Sequence, residues 1–201
     1  MSTLEVGKIV PATGTAITLG DSGDTFTVPS GGALTVASGA TINITGATQT
    51  GFPSGLFSGY AIFADQKAQN TSGGTFTSGA WRQRDLNTTI ANTDTTNITL
   101  GTNDFTLLAG NYLIQWMAPG FGIGRATTRL YDGTSVVGVG INAYTMNTGL
   151  PAPGLLRVTP GTSTTYQIQH QCDTTYATLG FGVEINLDTE QYTTVIIYKE
   201  S

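Results

Sequence analysis

Charge is scarce in this chain. Only 10% of the 201 residues are charged, the eight lysines and arginines form no cluster of more than two, and the formal net charge is −5. With a sequence pI near 4.5, the chain has no basic footprint for nucleic acid. There is one cysteine, Cys172, so an internal disulfide framework is excluded and robustness must come from packing or assembly. The longest uninterrupted apolar and glycine run, "VVGVGI", is too short to span a bilayer. The opening "MSTLEVGKIVPATG" has no positive start followed by an apolar stretch, so the expectation is synthesis in a cytoplasm without a membrane anchor. In that context the Asn-x-Thr triplets at Asn43, Asn87 and Asn97 read as a by-product of Asn and Thr richness.

What is abundant is Gly, Thr, Ser and Asn, with apolar residues in short alternating runs instead of helical faces. That is an all-β profile. Residues 25–48 fall into blocks of eight, TFTVPSGG, ALTVASGA and TINITGAT, preceded by a looser copy, AITLGDSGD, at 16–24. Ile17 and Leu19, Phe26 and Val28, Leu34 and Val36, and Ile42 and Ile44 occupy matching places. Because successive side chains in a strand point to opposite faces, these pairs share one face while Thr25, Thr27, Thr35, Thr41, Asn43 and Thr45 share the other. Between the pairs, Ser-Gly segments supply turn residues, and Pro29 removes a backbone donor where a strand would end.

Four blocks make little more than one turn of a three-sided coil, too little to enclose a core on one chain. Three chains winding round a common axis would bury the inner pairs, so the segment reads as a short trimeric β-helix or β-prism stalk. At one strand spacing per layer, four layers rise roughly 20 Å. Ordinary strands of a single globular β domain are the alternative. The segmentation expected is an attachment segment over 1–15, in which Leu4, Val6 and Ile9 are the docking candidates, the stalk over 16–51, and a head over 52–201, with Pro53 at the boundary.

In the head, strand-like runs follow one another: "GYAIFADQ", "GTFTSGAW", "TNITLG", "DFTLLAG", "YLIQWMA", "RATTRLYDG", "SVVGVGI", "GLLRVTPG", "TTYQIQHQC", "FGVEINL" and "YTTVIIYKE". Some ten short strands separated by Gly, Pro, Asn or Asp predict a two-sheet sandwich or jelly roll.

"NDFTLLAGNYLIQWMAPG", residues 103–120, resembles the F-x-x-P-x-x-G-x-Y-x-F signature of C1q- and TNF-like jelly rolls, with Ala109 in place of the usual proline. "RLYD", "QIQHQCDTT", "GFGVEIN" and "EQYTTVIIYKE" resemble the C1q-like C-terminal domain of tailed-phage virion proteins, and residues 2–32 resemble the N-termini of small structural proteins of marine phages. The resemblance implies a trimeric jelly-roll head with the stalk at its foot and loops at its far end. It also implies a binding or structural module instead of an enzyme, located on a virion.

No residue set stands out for catalysis. His170 and Cys172, two apart in "YQIQHQC", fall on one strand face. Two ligands are too few for a metal, and no orienting third group supports a Cys-His nucleophile. Glu184, Asp188 and Glu190 in one turn, with Asp132 and Asp173 in others, are oxygen ligands that a Ca²⁺ site would draw on, but without EF-hand order. No cofactor is expected, calcium being the alternative. "GFGIG", 120–124, imitates a phosphate loop, yet strand-like alternation follows it where a helix would be needed. Trp81, Arg82, Arg84, Arg125, Tyr144 and Tyr176 are candidates for surface contacts, with Arg125, Tyr144 and Tyr176 preferred for recognising a host-surface glycan or protein. For Trp81 and Tyr144, burial in the sandwich or a trimer interface is the competing reading.

The expected function is therefore a non-enzymatic homotrimer of the virion, held to other virion proteins by its N-terminus. It would be a short fibre displaying its head for host recognition, or else a capsid decoration protein or head fibre. A cellular C1q-like lectin is the remaining alternative.

Overall fold

A computed structural model describes residues 25, 27–33, 35–41 and 56–201. The chain divides into two units, Met1–Phe52 and Pro53–Ser201. In the first unit the eight-residue period is visible as a repeated turn. The Gly32 N–H donates to the Pro29 carbonyl (2.9 Å) and the Ala40 N–H to the Ala37 carbonyl (3.0 Å). Gly31 and Gly39, the third residue of each turn, have φ of 83° and 84°. A positive φ at that place is nearly free for glycine and costly for other residues. Val28 and Val36 are 38% and 40% exposed on the single chain. Ile17, Leu19, Phe26, Leu34, Ile42 and Ile44 of the expected stalk core, and Leu4, Val6 and Ile9 of the docking segment, lie outside the described residues.

The second unit is all-β, with twelve strands and no helix among the described residues. They are β1 (Phe57–Lys67), β2 (Arg82–Gln83), β3 (Thr88–Asn92), β4 (Ile98–Leu100), β5 (Phe105–Leu107), β6 (Tyr112–Phe121), β7 (Gly124–Tyr131), β8 (Val136–Val139), β9 (Ala143–Thr145), β10 (Gly149–Val158), β11 (Thr164–Cys172) and β12 (Glu190–Glu200). One sheet has the order β10-β6-β12-β1-β3, the other β4-β5-β11-β7-β8, with β2 added to β11 and β9 to β7.

Among the described residues every strand pairing is antiparallel, and the pairs nest. β7 pairs with β8, β6 with β10, β5 with β11 and β1 with β12. Alternate pairs in this nest go to opposite sheets, the winding of a jelly roll.

Alternation builds the core. Along β6, Tyr112, Ile114, Trp116 and Ala118 point inward. Phe63, Val195 and Ile197 join them from β1 and β12, and Phe105, Leu107, Leu130, Tyr166 and Ile168 meet them from the other sheet. Each such side chain, fully buried, contributes about 1.5–3 kcal/mol. At the centre the Trp116 indole donates to Thr128 Oγ1 (2.8 Å), which donates on to the Ala152 carbonyl (3.3 Å). Gly154 lies against the indole, where a β-carbon would collide with the ring.

Three sequence expectations are corrected. "FGVEINL" is a loop, because the buried Glu190 carboxylate gathers the amides of Asn70, Ile185 and Asn186 at 3.2, 3.0 and 2.8 Å and folds the segment around itself. "GTFTSGAW" forms only a single bridge, Phe76 to Tyr176, and its Gly74 bonds into the 178–181 loop, donating to the Thr178 carbonyl at 2.9 Å and accepting from the Phe181 N–H at 3.0 Å. Arg84 is not a surface residue but 1% exposed. Its Nε donates to Thr193 Oγ1 and its Nη2 to the Phe181 carbonyl, both at 2.8 Å, and the guanidinium stacks on the Phe181 ring at 4.3 Å. Burial lowers its pKa to about 10, which leaves it charged at neutral pH.

Candidate recognition surfaces

The sandwich turns two very different faces outward. On the first sheet, strand register aligns outward residues in rows across β1, β12, β6 and β10. One row is Tyr60, Tyr198, Leu113 and Arg157; the next is Ile62, Ile196, Gln115 and Leu155; a third holds Thr194, Met117 and Pro153. Leu155 is 62% exposed and Tyr60 and Met117 39% each, while Ile62, Ile196, Leu113 and Tyr198 are half-buried. Charge appears at the margin, where Arg157 grips Glu200 through Nε and Nη2, both at 2.7 Å. β10 is an edge strand, which is where Pro151 and Pro153, lacking N–H groups, can sit.

The outer face of the second sheet is polar and aromatic. Gln167, Gln169 and Gln171 of β11 lie beside Tyr131, Arg129 and Thr127 of β7. Arg129 stacks on the Trp81 ring at 4.0 Å and donates to Gln169 Oε1 at 2.7 Å. Toward the start of β7 this face opens into a groove of about 590 Å³, lined by Arg125, Thr127, Asn142, Tyr144, Gln171 and Asp173 among others. Arg125 and Tyr144 are direct cross-strand partners in the β7–β9 pair. The Asp173 carboxylate fixes Arg125 twice, accepting from its backbone N–H and from its Nε, both at 2.9 Å. Their mutual attraction holds the Asp173 carboxyl below, and the Arg125 guanidinium above, its usual pKa. The Tyr144 ring is 58% exposed, its hydroxyl resting on Met146 Sδ at 2.9 Å.

Of the three residues preferred for recognition, the fold brings Arg125 and Tyr144 together. Tyr176 does not line the groove. Its half-buried ring meets Phe121 edge-on at 5.4 Å and packs with Phe76, Ile123 and Phe181 in a small second core. Gly122 and Gly124 of "GFGIG", with φ of 65° and 69°, turn β6 into β7. A β-carbon on Gly122 would strike Tyr176, and one on Gly124 would strike Asp173. The glycines therefore serve close packing beside the groove.

His170 and Cys172 share the inward face of β11, both buried. His170 packs edge-on against Phe76, and burial beside the Arg84 cation pushes its pKa down to about 2. Burial pushes the Cys172 thiol up to about 11, and its Sγ donates to the Thr174 carbonyl. Among the described residues no group of three or more His, Cys, Asp or Glu is placed to hold a metal ion. Asp132 closes a turn by accepting from the Thr134 and Ser135 amides, and Asp188 accepts from the Thr189 amide.

No family model and no curated protein matches the chain. Among solved structures it is similar to the globular domain of zebrafish complement 1qA protein, at 14% identity and TM-score 0.46, over 71% of this chain and 96% of that one. It is also similar to the PRD1 vertex protein P5, at 13% identity and TM-score 0.47, over 72% and 99% of the two chains. A third similar structure is the Eiger TNF from S. frugiperda, at 7% identity and TM-score 0.45, over 71% and 92%.

Proposed function

We propose that this chain is a non-enzymatic virion protein of a tailed phage, a homotrimer in which the period-eight segment forms a stalk and the jelly roll a displayed head. The observation that carries the assembly is the apolar outer face of the first sheet. A strand of a one-sided sheet alternates apolar and polar residues, whereas a strand covered on both sides is apolar throughout. β6 and β12 approach the second kind, with Leu113 and Met117 flanking Gln115 on the outward side of β6 and Ile196 and Tyr198 following Thr194 on that of β12. A contiguous exposed apolar face of this sort marks an interaction surface, and a further copy of the chain is the partner that would always be present.

Display follows from assembly. Three heads held in one orientation turn weak contacts into avidity, and the groove at Arg125 and Tyr144 is the surface offered to a host. The virion setting rests on the sequence resemblance of residues 2–32 and of the C-terminal strands to phage structural proteins. A capsid decoration protein or head fibre is the second reading, favoured by the roughly 20 Å rise of four blocks, which suits a position close to a particle surface. Immunogold labelling of intact particles separates the two. Label at the tail supports the fibre, label over the head supports decoration, and particles free of label contradict both.

A further inference from the structure

We infer that the groove beside Tyr144 is a binding site for a neutral saccharide. This gives the recognition role proposed above a ligand class and rests on that reading. The groove, about 590 Å³, lies within the range of small-ligand sites. A sugar ring presents an apolar C–H face and an edge of adjacent hydroxyls that both donate and accept. The groove offers a counterpart to each. Tyr144 supplies an exposed aromatic surface. Asn142 and Gln171 carry amides that donate and accept, and Asp173 an accepting carboxylate.

Charge selects among ligands. Among the described residues the one cation lining the groove, Arg125, is already paired with Asp173 at 2.9 Å, so a carboxylated, sulfated or phosphorylated ligand meets no uncompensated positive charge there. The formal net charge of −5 opposes an anion further. Arg125 nevertheless keeps its Nη groups for hydroxyl acceptors, since Asp173 takes up its Nε and backbone N–H. Apolar ligands are disfavoured by the amides and ion pair that they would strip of water. Arg125 stands on β7 and Gln171 on β11, Asn142 and Asp173 adjoin β9 and β11, and Asp173 holds Arg125 at two points. The site is thus ordered before a ligand arrives, which lowers the entropic cost of binding.

Saturation-transfer NMR on the full chain tests this, with the methyl glycosides of glucose, galactose, mannose and N-acetylglucosamine as probes and glucuronate as the anionic control. We expect transfer to at least one neutral glycoside and little to glucuronate. Tyr144→Ala should weaken binding by about tenfold or more, and Gln171→Ala to a lesser degree. Both side chains are outside the core, so thermal midpoints should stay near that of the wild type. No transfer to any neutral glycoside, transfer to glucuronate alone, or binding undiminished in Tyr144→Ala would each overturn the assignment. The assay needs only the folded chain. Sugar binding by a monomer would keep this site and remove the display reading, whereas a trimer that binds none of the probes would do the reverse.

Discussion

The two outer faces of the sandwich use the same strand geometry for opposite purposes. Across the first sheet, register lines up Tyr60 with Tyr198 and Leu113, and Ile62 with Ile196. Across the second it lines up Arg129 with Gln169 and Thr127 with Gln171. Inward, both sheets supply the same kind of residue to one core. Folding therefore constrains only half of each strand, and the outward half is free to specify what the molecule meets. In the function proposed here, one face loses its water against another copy of the chain and the other keeps polar groups in reach of a hydrated ligand.

The comparison breaks most sharply with a charge at the centre of the apolar face. Ile196→Asp should leave three unpaired carboxylates in the assembled interface at a cost of several kcal/mol each. Light scattering should then fall from about 63 kDa, three times the 20.9 kDa chain, to that of one chain. Gln169→Asp, on the opposite face, should leave the mass unchanged. An Ile196→Asp protein that stays trimeric would put the association elsewhere, with the stalk the first place to look.

Between the faces, stability and association should separate. Gly154→Ala forces a β-carbon into the Trp116 ring and should cost about 1–3 kcal/mol, lowering the thermal midpoint while the mass of the folded protein holds.

Beneath the polar face, His170 should make stability depend on pH. Its folded pKa, about 2, lies below the ordinary 6.5, so the unfolded chain takes up the proton first. This contribution is complete above about pH 6.5 and is lost as pH falls, at a rate approaching 1.4 kcal/mol per unit, about tenfold in the unfolding constant. Chemical denaturation of wild type and His170→Phe between about pH 4 and 6 checks it. Equal slopes would remove the histidine from the account.

The smallest effect is expected on the polar surface itself. Arg129→Ala, which lifts the guanidinium off Trp81, should cost about 0.5–1 kcal/mol with no change of mass.

Strands whose alternation feeds the core were legible in the sequence. "DFTLLAG" and "YLIQWMA" became β5 and β6, and "TTYQIQHQC" became β11 with His170 and Cys172 on one face. The misses have physical causes. β3, "TTIAN", has one large apolar residue, Ile90, which faces solvent at 46% exposure; its pairing with β1 is made by backbone and leaves no hydrophobic period. "FGVEINL" has the period of a strand, but Glu190 captures its amides and Ile185 and Leu187 end 63% and 82% exposed. Arg84 stands in "WRQRDL", a stretch that reads as surface until β12 supplies the Thr193 hydroxyl and the loop before it the Phe181 carbonyl.

The groove was half legible. Arg125 and Tyr144 were named for their chemistry, whereas Gln171, Asn142 and the gripping role of Asp173 depend on β7, β9 and β11 lying side by side. The apolar outer face had a signal in the apolar-rich runs of β6, broken only by Gln115, and β12, which local alternation alone does not distinguish from a richly buried core.

The solution mass of the purified chain by light scattering at micromolar concentration tests the central claim most directly. The account predicts about 63 kDa, three times 20.9 kDa, with the apolar face of the first sheet closed between copies. A mass of a single chain, near 21 kDa, would contradict it.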